Sequence, residues 1–256
     1  AAISAGACST ADASITATGV VSTDVVKFSP NADPGLNSGL LVYSAWAGTD
    51  VISFRVCNPS AGSITRSRWS RRASEMSAPL QAVQAEVAQT AGLDVLVNAH
   101  GLQIRSDFAG CDEETWMTLT DVNLNGVYRS CQVFGEPMRS RGGAIVNIGS
   151  VNGVVVSGKG TPYGIQKAAV SHMTKVMAAE WGRFGITTNA ICPGYIETEL
   201  NSRHFNSDAG QKLINMLPRK RVGEPKDLDA LLVMLASGES GFVNGAIIAA
   251  DDGFAL

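Results

Sequence analysis

The 256-residue chain is poor in the features that mark several common protein classes. It has five Cys, at 8, 57, 111, 131 and 192, with no CxxC pair and none close to its three His. That spacing excludes zinc-finger and disulfide-framework scaffolds, and no metal site is expected. No apolar run reaches the roughly 20 residues that a membrane-crossing helix needs. The formal charge of −3 is too near zero for broad electrostatic capture of nucleic acid or an anionic membrane. The opening stretch, AAISAGACSTADASITATG, lacks the basic start and apolar centre of a secretion signal. Cys8 and Cys57 are expected as free thiols, which suits a reducing, cytoplasmic setting. What is left is a globular protein of one large domain or two small ones.

A further absence divides the chain. Glu, His and Met do not occur before residue 75, while Ser and Thr are abundant there. Helix formers are therefore scarce in the first part and common in the second. Residues 1–72 read as a small β-rich domain of short strands, ASITATG, DVVKF, GLLVYSAWA and DVISFRV, separated by turn chemistry such as SPNADPG. DVISFRV alternates in the manner of a half-buried strand. The basic string RSRWSRR, residues 66–72, is read as a solvated linker at the seam.

From residue 73 the period changes. SEMSAPLQAVQAEVAQTAG has apolar residues at helical spacing, and LDVLVNAHG is a continuous apolar run suited to a strand covered on both faces. The alternation continues with a helix over about 113–139, the strand AIVNIGS, a helix over about 161–184 and the strand TTNAICPG. A polar insertion to about 222, a helix over about 225–237 and the strand AIIAADDG follow. Such alternation predicts an α/β fold, a partial doubly wound Rossmann-like parallel sheet preceded by the small all-β unit.

The chemistry gathers in this second part. Tyr163 and Lys167 are four residues apart in a predicted helix, so phenol and ammonium share a face. A nearby cation stabilises a phenolate and makes proton transfer by a tyrosine feasible near neutral pH. Ser150 ends the strand AIVNIGS, Asn98 ends LDVLVN, and Pro193-Gly194 follows a third strand. Ligands of open parallel sheets bind outside those carboxyl ends. Asn123 interrupts the apolar stretch DVNLNGVY. Trp116 and Met117 are read as helix core, and His172 and His204 as ordinary helix and loop residues.

With those residues in place, the chain from about 73 onward resembles the classical short-chain dehydrogenases/reductases. The resemblance rests on Asn98-Ala-His-Gly101 for the family's NNAG, Asn123, Ser150, Tyr163-x-x-x-Lys167, Pro193-Gly194 with Thr198, and Asp251-Asp-Gly253. It implies an oxidoreductase that interconverts a carbonyl and a secondary alcohol with NADP or NAD. Under it, Tyr163 is the acid/base and also contacts the cofactor, Ser150 orients the carbonyl, and Lys167 tunes Tyr163 and binds the nicotinamide ribose. Asn123 holds a water that links Lys167 to solvent. Ile196 and Thr198, after Pro193 and Gly194, contact the carboxamide, and Asn98 and Gly101 support the cofactor. The stretch RHFNSDAGQKLINMLPRKRVGEP resembles the lid of sugar-acid or 3-oxoacyl reductases.

The first part departs from that pattern. The family's TGxxxGxG turn, which carries a dinucleotide's diphosphate, has Thr18-Gly19-Val-Val-Ser-Thr23-Asp-Val25 as its nearest counterpart. Residues 1–70 carry a less specific resemblance to small β domains of phage or virus-like structural proteins, on ACSTAD and VISFRVCN. The rival reading is therefore an inactive structural or attachment protein with a relic catalytic half. In either case LDVLVN is expected at a sheet edge that something must cover. The resemblance to the dehydrogenase family also implies a homo-oligomer, through the helices over 113–139 and 161–184 by which such proteins usually dimerise.

Overall fold

The computed structural model describes the backbone of residues 41–46, 52–57 and 66–67, and residues 93–156, 161–198 and 201–256. The strands expected before residue 41, the helix expected over 74–92, the string Thr18–Val25 and Cys8 lie outside these residues.

Four parallel strands form the frame: β4 (Val95–Asn98), β5 (Gly143–Ile148), β6 (Ile186–Pro193) and β7 (Ile247–Ala250). Their period of two sends alternate side chains into two cores. Leu96 and Ile145, paired in register, join Leu119, Phe134, Met138 and Val170 on one face. Val97 and Val146, paired next, join Leu228, Leu232 and Leu235 on the other. Both faces are thus covered, which is why these strands read as apolar runs rather than as alternation. Leu96, Ile145, Phe134 and Leu235 are fully buried, and each contributes roughly 1.5–3 kcal/mol by leaving water.

Before them, β1 (Leu41–Trp46) pairs antiparallel with β2 (Ile52–Cys57), which pairs with the short β3 (Arg66–Ser67). β1 also runs parallel to β4, with Ser44 opposite Asn98. The sheet order is β3-β2-β1-β4-β5-β6-β7, so the apolar edge of β4 is covered by β1. Arg66 and Ser67, expected in a linker, pair with Arg55 and Phe54.

The helix expected over 113–139 is a relay of five pieces. α1 (Glu113–Thr120) is capped by Asp112, which accepts from Thr115 N at 2.7 Å. Wider π turns at Asp121–Asn125 and Cys131–Gly135 separate it from α2 (Gly126–Ser130) and α3 (Glu136–Met138). Asn123 falls in the first of these turns, a distortion that often marks a functional position. Met117, expected in the core, is 57% exposed, because the face of α1 toward the sheet is carried by Leu119.

α4 (Thr161–Trp181) matches its expected span and ends in a 3-10 turn at Gly182–Phe184. Its buried positions, among them Gln166, Val170, Thr174 and Met177, recur at helical spacing. The polar insertion is not irregular: it folds into α5 (Ser202–Phe205) and α6 (Asp208–Met216), the latter capped by Ser207. α7 (Asp229–Ala236) covers the far face of the sheet. Among the described residues no helix is long and apolar enough to cross a membrane.

Candidate active site

A cavity of about 260 Å³ opens at the carboxyl ends of β4, β5 and β6. Ser150 lies two residues beyond β5 and caps a 3-10 turn, Val151–Gly153, its Oγ accepting from Asn152 N at 3.1 Å. With that lone pair engaged, its own hydroxyl hydrogen remains available to an acceptor in the cavity. The turn is pressed onto α4 through glycine on both sides. A methyl on Gly153 would come 2.7 Å from Lys167 C and Ala168 N, and one on Gly164 2.8 Å from Asn152 O. Ser150 and Tyr163 both line the cavity, Tyr163 half-buried in the first turn of α4.

Lys167 follows one helical turn later and is only 3% exposed. Its Nζ donates to Ile148 O at 2.8 Å and stands 5.8 Å from the centroid of the Tyr163 ring. The β5 backbone thus steers the cation beneath the phenol.

The β4 rim is held from behind. Asn98 is fully buried, and its Nδ2 donates to Asn147 Oδ1 at 2.8 Å and Cys131 Sγ at 3.3 Å. Asn147 in turn donates to Thr174 Oγ1 at 2.9 Å, tying β4 and β5 to α4. Asn98 itself does not line the cavity; the next residues, Ala99 to Leu102, do. Asn123 clamps them: its Oδ1 accepts from Leu102 N at 2.7 Å and its Nδ2 donates to Leu102 O at 2.8 Å. A methyl on Gly101 would lie 3.3 Å from Lys167 Nζ and 3.4 Å from Asn123 Oδ1. His100 is buried against this cluster. Burial, and secondly the Lys167 ammonium, push its imidazole down to about 3, so it is neutral near pH 7.

The β6 rim supplies Pro193, Gly194, Ile196 and Thr198, all lining the cavity. Gly194 is bare because a methyl there would meet Asp251 at 2.7 Å. Asn201 braces the loop, accepting from Thr198 N at 2.7 Å and donating to Ile196 O at 2.8 Å. Thr198 Oγ1 is buried with no hydrogen-bond partner among the described residues.

Of the opposite wall, sequence reasoning named the stretch 203–225 as resembling a lid but singled out none of its residues for the site, and it missed Arg105. Arg105, His204, Phe205 and Leu213 line the cavity from the segment after β4 and from α5 and α6, while Asn152, also unnamed in the sequence reading, lines it from the turn after Ser150. Ser207, followed by Asp208, was the usable signal for a helix here.

Comparison with known proteins decides the family. A family model described as enoyl-(acyl carrier protein) reductase matches residues 73–255. The chain is 35% identical over 181 residues to galactitol 2-dehydrogenase (L-tagatose-forming) of Cereibacter sphaeroides, covering 69% of this chain and 71% of that protein. It is 37% identical over 162 residues to acetoacetyl-CoA reductase of Rhizobium meliloti, covering 63% and 67%. A crystal structure of a gluconate 5-dehydrogenase from Burkholderia cenocepacia, in complex with NADP and tartrate, superposes with a TM-score of 0.66 at 36% identity, over 69% and 70% of the chains. The chain is a classical short-chain dehydrogenase/reductase.

As a member of that family it is an oxidoreductase of carbonyl and alcohol groups that depends on a nicotinamide cofactor. The residues of this reductase around the cavity suit the nicotinamide end of such a group. Gly101 leaves Lys167 Nζ approachable, and the unpartnered Thr198 Oγ1 offers a hydroxyl to a carboxamide. The dehydrogenase fold also accounts for the strand ends: three of them converge on one crevice, as parallel sheets require.

Proposed function

We propose that this chain reduces the ketone of a sugar acid or related polyhydroxy compound, or oxidises the corresponding secondary alcohol, with NADP or NAD. The observation that carries the reading is the convergence of Ser150, Tyr163 and Lys167 on one cavity. Arg105 at the same cavity suits a substrate carboxylate, because a guanidinium pairs with that group in bidentate fashion. The likeness to a gluconate 5-dehydrogenase held with tartrate and NADP supports the same substrate class. A 3-oxoacyl thioester is the second reading, favoured by the likeness to acetoacetyl-CoA reductase.

Hydride exchange with the substrate carbon is the chemistry a bound nicotinamide supplies. Tyr163 gives its phenolic proton to the carbonyl oxygen in reduction and takes it back in oxidation. Ser150, with its oxygen already bonded to Asn152 N, donates to the same carbonyl oxygen and fixes its direction. Lys167 favours the phenolate by its charge and binds the nicotinamide ribose. Gly101 and the segment Pro193, Gly194, Ile196 and Thr198 hold the nicotinamide ring and its carboxamide. Asn98 acts behind the rim, and Asn123 keeps Gly101 and Leu102 against Lys167. Donor, acid and carbonyl fixed together convert an encounter of separate partners into a single oriented step.

The chain is further proposed to work in the cytoplasm as a homo-oligomer. Exposed Met117, Tyr128, Ile165 and Val176 on α1, α2 and α4 support association through those helices.

Calorimetric titration with NADPH and NADH, followed by Tyr163→Phe, tests the activity. Micromolar binding is expected, with kcat for a keto sugar acid falling roughly 10²–10⁴-fold in the variant while cofactor binding stays measurable. No binding at millimolar cofactor together with no turnover would overturn the reading and leave the structural alternative.

A further inference from the structure

Asn152 stands between the two groups that grip the substrate oxygen. It is the middle residue of the turn Val151–Gly153, and its backbone N–H donates to Ser150 Oγ. Its carbonyl lies against the bare Cα of Gly164, the residue after Tyr163. Asn152 lines the cavity, yet its amide Oδ1 is buried and accepts no hydrogen bond among the described residues.

A buried amide oxygen without a donor is costly. The local fold gains nothing in return. The turn is capped by the Ser150 side chain, and the backbone bond to Ser150 needs no particular residue at 152. Alanine would make that bond equally well, so the amide is surplus to the turn. The terminal torsion of Asn is broad, and a modest rotation presents either its acceptor or its donor end to the cavity. A hydroxyl can satisfy both ends. The one group certain to sit beside a carbonyl held by Ser150 and Tyr163 is the substituent on the adjacent carbon.

We infer that Asn152 is a specificity-determining residue that reads a hydroxyl on the carbon next to the reacting carbonyl. It commits the site to α-hydroxy ketones and the matching vicinal diols, over ketones that lack that hydroxyl. The inference rests on the oxidoreductase reading above and narrows its substrate class. A site built to hydrogen-bond a substrate hydroxyl rejects the analogue without it far more strongly than an apolar pocket rejects an added group.

Asn152→Leu and Asn152→Asp are compared with the unaltered chain on L-tagatose, an α-hydroxy ketone, and on acetoacetyl-CoA, with NADPH as reductant. Binding of L-tagatose is followed separately by saturation-transfer NMR, which needs no turnover. In Asn152→Leu, kcat/KM and affinity for L-tagatose are expected to fall at least about 10-fold, with acetoacetyl-CoA within about threefold. Asn152→Asp, which keeps an acceptor, recovers part of the loss. NADPH affinity stays unchanged, which reports an intact site; if the Leu variant does not fold, Asn152→Ala replaces it with the same expectations. Equal losses on both substrates, or L-tagatose binding indifferent to residue 152, overturn the inference. If the unaltered chain reduces neither ketone but L-tagatose binding still depends on Asn152, the activity fails and hydroxyl recognition stands.

Discussion

The two walls of the cavity are built by different means. One wall, with Ser150, Tyr163 and Lys167, is made from a strand end and a 21-residue helix locked together by backbone contacts. The other, with Arg105, His204, Phe205 and Leu213, is made from connecting segments and two short helices. The first wall needs fixed distances, since proton and hydride must move together. The second needs only shape and charge that suit a substrate. The reacting groups therefore stand on the rigid frame, while the shape of the far wall is left to connections, which tolerate change.

The contrast can be broken most severely at the rigid wall. Gly153→Ala forces a methyl to 2.7 Å from the backbone of α4, so the turn bearing Ser150 must shift. A loss of about 1–3 kcal/mol in stability is expected from denaturant titration, as for other overpacked sites. Turnover should fall by about 100-fold because Ser150 and Tyr163 lose their spacing. A variant with unchanged turnover would show that this wall is looser than its contacts imply.

The second wall should respond differently. Arg105→Ala is expected to raise KM for a carboxylate-bearing substrate by about 10-fold with little change in kcat, while a neutral polyol is unaffected. Steady-state kinetics on the two substrates checks this. Equal effects on both would move Arg105 out of carboxylate recognition.

The rim between the walls carries a pH signature. His100 in the folded chain titrates at about 3, against 6.5 for a free imidazole. Between those values the unfolded chain binds the extra proton, so stability falls as pH drops from 6.5 toward 3. The slope should approach about 1.4 kcal/mol per pH unit for this group within that window. His100→Ala is expected to flatten that part of the curve, read by denaturant melts from pH 7 to 4.

The smallest effect concerns thiols. Burial pushes the Cys131 thiol up to about 12 and also raises that of Cys192, whereas Cys111 is partly exposed. Among these three, only Cys111 should react with maleimide in the native chain, as peptide mass analysis would reveal. Early labelling of Cys131 or Cys192 would mean that the rigid wall opens readily.

The rigid wall was legible in the sequence because its chemistry is local. Tyr163 and Lys167 are four residues apart on one helix, and Ser150 and Asn98 end apolar runs whose alternation with helices implies a parallel sheet. The other wall was legible only as a stretch, residues 203–225, that resembles a lid, and not residue by residue. Arg105, His204 and Leu213 sit in polar stretches where neither period two nor 3.6 stands out, and only the Ser207 cap announced a helix. Met117 misled for a related reason. An apolar residue on a short helix reads as core, but the face turned inward belongs to Leu119.

By itself the sequence determined the strand–helix order, the residues at the strand ends and the pairing of phenol with ammonium. Each of these follows from spacing along one element. The tertiary structure alone decided that β1 covers β4, that Asn123 clamps Leu102, and that Asn152 at the cavity has an amide oxygen without a partner among the described residues. Those facts join residues far apart in the chain, and sheet pairing and side-chain packing, not local spacing, bring them together.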